Sequence, residues 1–368
     1  MSSTGRASLR TYIVYAGAIL IFVPFLVSAG LYSRELSQQG QQQIANRLGN
    51  RANAAASQLG ERLHELWLDV SGLSGVRLDE QDRLRADLTL VGRLGNRFSW
   101  IGVADVEGKV FAASQGMLEG QSVAQRPWFR QGLEGPSAVD VHEAQLLAKL
   151  LPNPTGKPFR FVDLTAPLRG PAGQTVGVIG AHVDWNWVKD TLARLQSPGI
   201  ELLLVSRDNR VLYGPADLQD KQLETTALAS AQRGGALTRI ERWPDGRDYI
   251  TTVAPTVGYA DLPSFGWSLV ARQDLASATQ VIGDLTAGFW KILGTGFVIS
   301  FLLLCLFAGW LATPMRRLSG FAEALAAGGD AGFPHAETRY DEAARLSAAL
   351  TRLQALPRGP DDRFKDAA

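Results

Sequence analysis

Two uncharged apolar runs stand near the ends of this 368-residue chain, and no other feature restricts its architecture as much. The first extends from Tyr12 to Tyr32 and the second from Ile292 to Leu311. Each has about 20 residues, and at roughly 1.5 Å per residue a helix of that length matches a hydrocarbon core about 30 Å thick. A long polar segment lies between them, and a short tail follows the second. The layout is that of a soluble domain slung between two membrane helices, able to read one side of a membrane and report to the other.

Basic residues at the helix ends set the expected orientation. Arg6 and Arg10 precede the first run, and Arg316 and Arg317 follow the second. Long loops cross regardless of charge, so these flanks place both termini in the cytoplasm. Trp290 and Lys291 open the second run at its far end, where an indole anchors and a lysine snorkels. The first run competes with a cleaved signal peptide, for which Val27-Ser28-Ala29 is a poor cleavage site; its length favours a membrane span. A net charge of +1 gives no case for nucleic acid as a partner. The single cysteine, Cys305, lies inside the second run, which excludes disulfides and thiol chemistry from the polar segment. That segment is long enough for two modest cores.

From Arg34 to Ser71 the chain is rich in Gln, Ala and Leu, with Ile44, Leu48, Ala55, Leu59, Leu63 and Leu66 at helical spacing. One long helix is expected, and a shorter one from Glu80 to Arg97. The period then changes to that of strands. Ser99–Val106 and Val110–Ala113 form a hairpin around Glu107-Gly108-Lys109, a loop follows, and Ala138–Ala144, Phe159–Leu168 and Gln174–Trp185 supply three more strands. The pattern recurs in shorter form: a hairpin from Ile200–Ser206 and Arg210–Tyr213, a helix over Asp217–Gln232, and strands at Leu237–Trp243, Asp248–Val257 and Gly266–Arg272. The expected fold class is therefore α+β, with two antiparallel modules on a long N-terminal helix, about 75–195 and about 196–275.

The tail has its own pattern. Pro314 follows the second apolar run, with Leu318, Phe321 and Leu325 at heptad-like spacing. A glycine-rich break at Gly328–Gly332 interrupts them, and Asp341-Glu342 opens a second run through Ala343, Leu346, Leu350 and Leu353. Two amphipathic helices this short cannot bury their stripes alone, so a homodimer is expected.

With these segments the chain resembles bacterial transmembrane sensors that carry a double Cache domain outside the membrane and a HAMP linker inside it. The resemblance rests on the hairpin WIGVADVEGKVFAAS, on Gln125-Arg126-Pro127-Trp128-Phe129, on FVDLTAPLRGPAGQTVGVIGAHVDW and on the repeated smaller module. The HAMP part rests on Pro314, the glycine break and Asp341-Glu342. It implies PAS-like modules, residues 1–11 in the cytoplasm, membrane helices at 12–32 and 289–312, a periplasmic double Cache domain at 33–288, a HAMP domain at 313–356 and a disordered tail at 357–368. It further implies a multi-pass protein of the bacterial inner membrane, not an enzyme, whose partners are a small-molecule ligand, the bilayer, a second copy and a cytoplasmic signalling protein. In amino-acid-binding members the Arg and Trp of this element grip the ligand carboxylate, and carboxylates with a tyrosine take the ammonium. Arg126, Trp128 and Phe129 match the first half. The second half departs: Gln121 stands where tyrosine is usual, His182 where aspartate is usual, and Val141 and Glu143 most nearly match a Tyr-x-Asp pair.

Read as chemistry, Arg126 offers a planar fork for a carboxylate and Trp128 a wall beside it; the alternative is a surface arginine next to a buried tryptophan. His142, Glu143, Asp163 and His182 come from three strands and converge on one pocket floor, unless some of them face solvent or satisfy one another. Lys149 and Trp100 are weaker candidates, Trp100 as a core residue. No cofactor and no metal ligand is expected. His64-Glu65 lacks the second histidine of a zinc helix, since Leu68 takes that place, and Gly102–Lys109 is one residue too long for a phosphate loop. Gly328-Gly329-Asp330 resembles the start of a cyclase signature but falls in the break. No GxSxG nucleophile turn occurs. The competing readings are a ligand-binding receptor whose output lies on a partner or a missing domain, a membrane-anchored external enzyme, a truncated sensor of a histidine kinase or diguanylate cyclase, and an adaptor that binds no ligand.

Overall fold

The computed structural model describes residues 7–75, 81–93, 97–143, 147, 158–235, 237–328, 332 and 336–355. They fall into two compact units: Gln39–Val281, and Met1–Gln38 with Ile282–Ala368. Lys149, most of the glycine break and the tail from 356 lie outside the described residues.

In Gln39–Val281 two sheets share one helix. Helix α1 (Leu9–Gly72) is continuous, and its stripe of Leu48, Ala52, Ala55, Leu59, Leu63 and Leu66 is fully buried. This stripe joins Ile101, Val103, Ile179 and Ala181 of one sheet and Leu202, Leu204, Leu269 and Ala271 of the other in a single core. The short helix α2 (Gln81–Arg93) buries Leu84 and Leu88.

The first sheet contains β1 (Phe98–Asp105), β2 (Val110–Ala113), β3 (Ser137–Glu143), β4 (Arg160–Arg169) and β5 (Thr175–Asp184), in the order β2-β1-β5-β4-β3, all antiparallel. Helix α3 (Pro127–Glu134) occupies what the sequence reads as loop, and α4 (Trp185–Leu195) begins where the last strand was expected to end. Both have local causes. Pro127 fits the first helical turn, where its missing N–H costs nothing, and the Asp184 carboxylate caps α4 by accepting from Asn186 N at 2.7 Å.

The second sheet repeats the first: β6 (Glu201–Val205), β7 (Val211–Tyr213), β8 (Thr238–Arg242), β9 (Asp248–Ala254) and β10 (Ser268–Asp274), in the order β7-β6-β10-β9-β8. The helix expected over 217–232 is only α5 (Thr226–Gln232). Its first half is made of turns, with Asp220 at φ 61°, and the helix starts only where the Thr225 hydroxyl accepts from Leu228 N at 3.3 Å. The modules meet at several points. Trp267 Nε1 donates to Asp140 Oδ1 at 2.7 Å, and Arg160 grips both oxygens of Asp220 at 2.8 and 3.1 Å.

The other unit holds the apolar stretches. Those of α1 and of α6 (Leu275–Ala326) have mean hydropathies of 2.2 and 2.3 and bury little within the chain, so both helices are long and apolar enough to cross a membrane. Phe22 and Phe297 pack at 4.0 Å between centroids, and Gly17 faces Leu304, whose terminal methyl would lie 2.8 Å from an added Cβ. Pro314 does not end the helix; α6 runs through it to Ala326. A proline leaves the carbonyl four residues earlier without its donor. Here that carbonyl, Trp310 O, accepts from Arg339 Nη1 at 3.2 Å, and Leu311 O accepts from the Tyr340 hydroxyl at 3.0 Å. Residues 339–340 lead into α7 (Asp341–Gln354), which buries Ala343 and Ser347 but leaves Leu346 and Leu353 exposed.

Candidate functional site

The face of the first sheet turned away from α1 carries a cavity of about 250 Å³. Aromatic rings and glycines shape it together. Trp128 projects from the first turn of α3 and lies against Gly180 of β5, where an added Cβ would sit 2.5 Å from the ring. Trp100 of β1 lies over Gly102 in the same way, at 2.4 Å. The two indoles are 5.7 Å apart, and Trp100 Nε1 donates to Met117 O at 2.9 Å. Leu118, Val123, Pro127, Val139, Leu147 and Phe161 complete the apolar wall.

The polar part of the wall comes from Arg126, His142, Glu143 and His182. Arg126 is the N-cap of α3, in extended conformation, so its side chain leaves the chain just before Trp128. Val139 and His142 would face opposite sides of a regular strand. A register shift between them lets both line the cavity, while Val141 packs against the α1 core. Glu143 stands exposed at the rim.

Antiparallel pairing puts Asp163 of β4 directly beside His182 of β5. His182 Nδ1 donates to Asp163 Oδ1 at 2.5 Å, and the imidazole stacks on Phe161 at 5.4 Å. Asp163 is 1% exposed, and its second oxygen has no hydrogen-bond partner. That oxygen lies 3.4 Å from His142 Nε2. The other nitrogen of His142 donates to Asp140 O at 3.1 Å, which fixes the ring and, in the neutral imidazole, leaves Nε2 as the bare nitrogen. His142, Asp163 and His182 thus present three donor atoms within 4.8 Å of one another, the one such group among the described residues. A half-satisfied buried carboxylate is costly unless something completes it.

Of the residues expected from the sequence, the structure gathers Arg126, Trp128, His142, Glu143 and His182 around one cavity, with Asp163 buried behind the histidines. Phe129 is not in the wall. It is buried next to Trp128 in an edge-to-face pair, centroids 6.0 Å apart. Gln121 is exposed and outside the lining. Trp100, weighed as core, is both buried and lining; the glycine two residues on, with the indole between, was the signal for it. Leu118, Val123 and Leu147 carried no signal in the sequence. His64 holds a loop instead of a metal: its Nε2 donates to Asp261 Oδ1 at 2.7 Å.

The family model described as Cache domain matches residues 30–282. Among solved structures, the ligand-binding domain of the Pseudomonas fluorescens chemoreceptor CtaA in complex with L-isoleucine is similar at 20% identity and TM-score 0.50, over 66% of this chain and 96% of that one. The ligand-binding domain of the Pseudomonas aeruginosa amino acid chemoreceptor PctB in complex with L-Arg gives 18%, 0.50, 64% and 97%. The sensory domain of the Campylobacter jejuni chemoreceptor Tlp3 with isoleucine bound gives 9%, 0.51, 66% and 97%. These likenesses concern the fold. No curated protein matches the sequence.

Proposed function

The chain belongs to the Cache domain family, and on that premise we propose that it is a transmembrane receptor whose first module binds a small carboxylate-bearing metabolite. The observation that carries this is the cavity closed by Arg126 and Trp128. A guanidinium beside an indole, in a recess of this size, suits one carboxylate on a ligand of few atoms. The structural relatives above have amino acids bound. In this chain the place of an ammonium-binding aspartate is taken by His182, so the preferred ligand departs from simple α-amino acids. A neutral imidazole offers no full charge to an ammonium.

The apolar stretches of α1 and α6 are the proposed membrane helices, with residues 33–288 outside the bacterial inner membrane and both termini inside. Residues 313–356 act as a HAMP-like relay in a homodimer and pass the signal to a cytoplasmic partner. The exposed Leu346 and Leu353 of α7 support this as the face that a second copy covers. Ligand biases the relay only through its differential affinity for two arrangements, about 1–3 kcal/mol. A melting-temperature screen of the full chain in detergent against organic acids, amines and amino acids tests the binding step. Arg126→Ala should then weaken the best hit by about 2–5 kcal/mol, since it leaves a desolvated carboxylate unpaired. Equal affinities in calorimetry would remove Arg126 from the site, and largest shifts with common L-amino acids would refute the predicted preference.

A further inference from the structure

We propose that His142, Asp163 and His182 form a site for a divalent transition metal of the zinc class, set in the wall of the cavity. The inference rests on the reading of that cavity as the receptor's ligand site, and adds to it an ion as part of what is recognised.

Three observations converge. First, the donors are of the right kind and number. Two imidazoles and one carboxylate suit zinc, cobalt or nickel and do not suit calcium or magnesium, which want oxygen shells. Second, Asp163 Oδ2 is a fully buried carboxylate oxygen without a hydrogen-bond partner, turned toward His142 Nε2 at 3.4 Å. Two ligands of a tetrahedral zinc, each about 2.1 Å from the ion, are roughly 3.4 Å apart. Third, His142 is already oriented as a metal ligand would be. Its Nδ1 donates to a backbone carbonyl, Asp140 O, and leaves Nε2 bare. Such an outer hydrogen bond fixes the tautomer of a ligating histidine.

His182 supplies the third donor. In the structure its Nδ1–H is engaged by Asp163 Oδ1. Metal binding replaces that hydrogen bond by bonds from both residues to the ion; the neutral imidazole keeps its one proton, which moves from Nδ1 to Nε2 through solvent. Three protein ligands leave a fourth position open. His142 and His182 both line the cavity, so that position faces the same space as Arg126 and Trp128. A carboxylate held by Arg126 can then fill it. The ion supplies positive charge where amino-acid-binding relatives of this fold are expected to use negative charge, which fits the replacement of aspartate by His182.

The test uses the full chain in detergent, stripped with chelator. Cobalt(II) is titrated and followed by visible absorption, and zinc is then added to displace it. One equivalent of cobalt with the intense bands of a four- or five-coordinate site, bleached by zinc, is the expected result. His142→Gln, a half-exposed position, and Asp163→Asn should each weaken binding at least tenfold, the scale on which even outer-shell changes act. His64→Gln, outside the cavity, should not. Absent bands, or equal affinity in the wild type and His142→Gln, overturns the metal site; His142→Gln keeps the test decisive even if Asp163→Asn fails to fold. The same samples are melted with a panel of small organic acids, once loaded with cobalt and once in excess chelator. Acid-dependent shifts without cobalt binding overturn the metal site and leave the receptor reading standing. Cobalt binding with no acid response, with or without metal, supports the metal site and overturns the carboxylate part of that reading.

Discussion

The two sheets have the same strand order, yet one lines a cavity and the other carries a buried apolar cluster on the corresponding face. The difference is concentrated in one cross-strand row. Both central strands end on a helix-capping aspartate, Asp184 in the first module and Asp274 in the second, and the row crosses each strand two residues earlier. The row through the first is Trp100–His182–Asp163; the row through the second is Glu201–Arg272–Thr251. His182 and Arg272 thus hold equivalent places. Arg272 is satisfied from within. It pairs with Glu201 at 2.7 Å and lies between the rings of Trp243 and Tyr249, at 4.1 and 4.2 Å from their centres. Leu203, Val205, Val211, Leu223 and Leu228 close the rest. In the first module the equivalent row ends on a buried carboxylate oxygen with no hydrogen-bond partner, behind the two histidines that line the cavity. The same topology thus carries two different chemistries, one satisfied within the sheet and one left open.

The comparison breaks most visibly at Arg272. Arg272→Ala removes a buried guanidinium, its ion pair and two cation–π contacts, and should destabilise the chain by about 2–4 kcal/mol. Glu201 is half exposed, so its stranded charge is eased by water, and the loss stays below that of a fully buried pair. Denaturant titration measures this. Ligand or metal binding by the first module should survive where the chain remains folded, and its loss would mean that the modules are not separable in this way.

Gly180→Ala sharpens the contrast from the other side. The new methyl would meet the Trp128 ring at 2.5 Å, and a core tryptophan with strand on one side has little room to yield. Overpacking of this kind costs about 1–3 kcal/mol, with the indole pushed into the cavity. Calorimetry should therefore show lost binding with the chain still folded. Unchanged affinity would mean that Trp128 does not define the cavity.

Much of this architecture was legible in the sequence, for stated reasons. The ten strands are short apolar or alternating runs between turn residues, and the α1 stripe repeats over several turns. The helices that escaped, α3 and α4, are short, and their only signals were Pro127 and Asp184. The helix predicted over 217–232 had adequate composition but was overruled by turns through Asp220. That the helix continues through Pro314 had no local signal, because the group that meets the freed carbonyl, Arg339, lies 25 residues away in sequence. Arg126 and Trp128 stood out as chemistry. The convergence of Asp163 with His142 and His182 was expected as a pocket floor, but not which of them bond one another, because that depends on the register of β3, β4 and β5, and a single residue of slip would turn every side chain to the other face.

The smallest expected effect lies where the two modules touch. Asp140 bridges them: its Oδ1 accepts from Trp267 Nε1 of the second module, and its backbone oxygen accepts from His142 in the first. Burial pushes the Asp140 carboxyl above the usual carboxylate range, and the hydrogen bonds from Trp267 and Val141 offset only part of this. Asp208 adds to the rise and His142 opposes it. A raised carboxyl favours the fold while it is protonated, and that contribution is lost as pH rises through its folded value. Asp140→Asn keeps the acceptor for Trp267 and cannot ionise. It should therefore melt slightly higher than the wild type near neutral pH, and the gap should close as pH falls below about 3.9. A gap that widens on acidification would show that the Asp140 charge supports the junction, and would make the contact between modules an ionic one instead of a buried hydrogen bond.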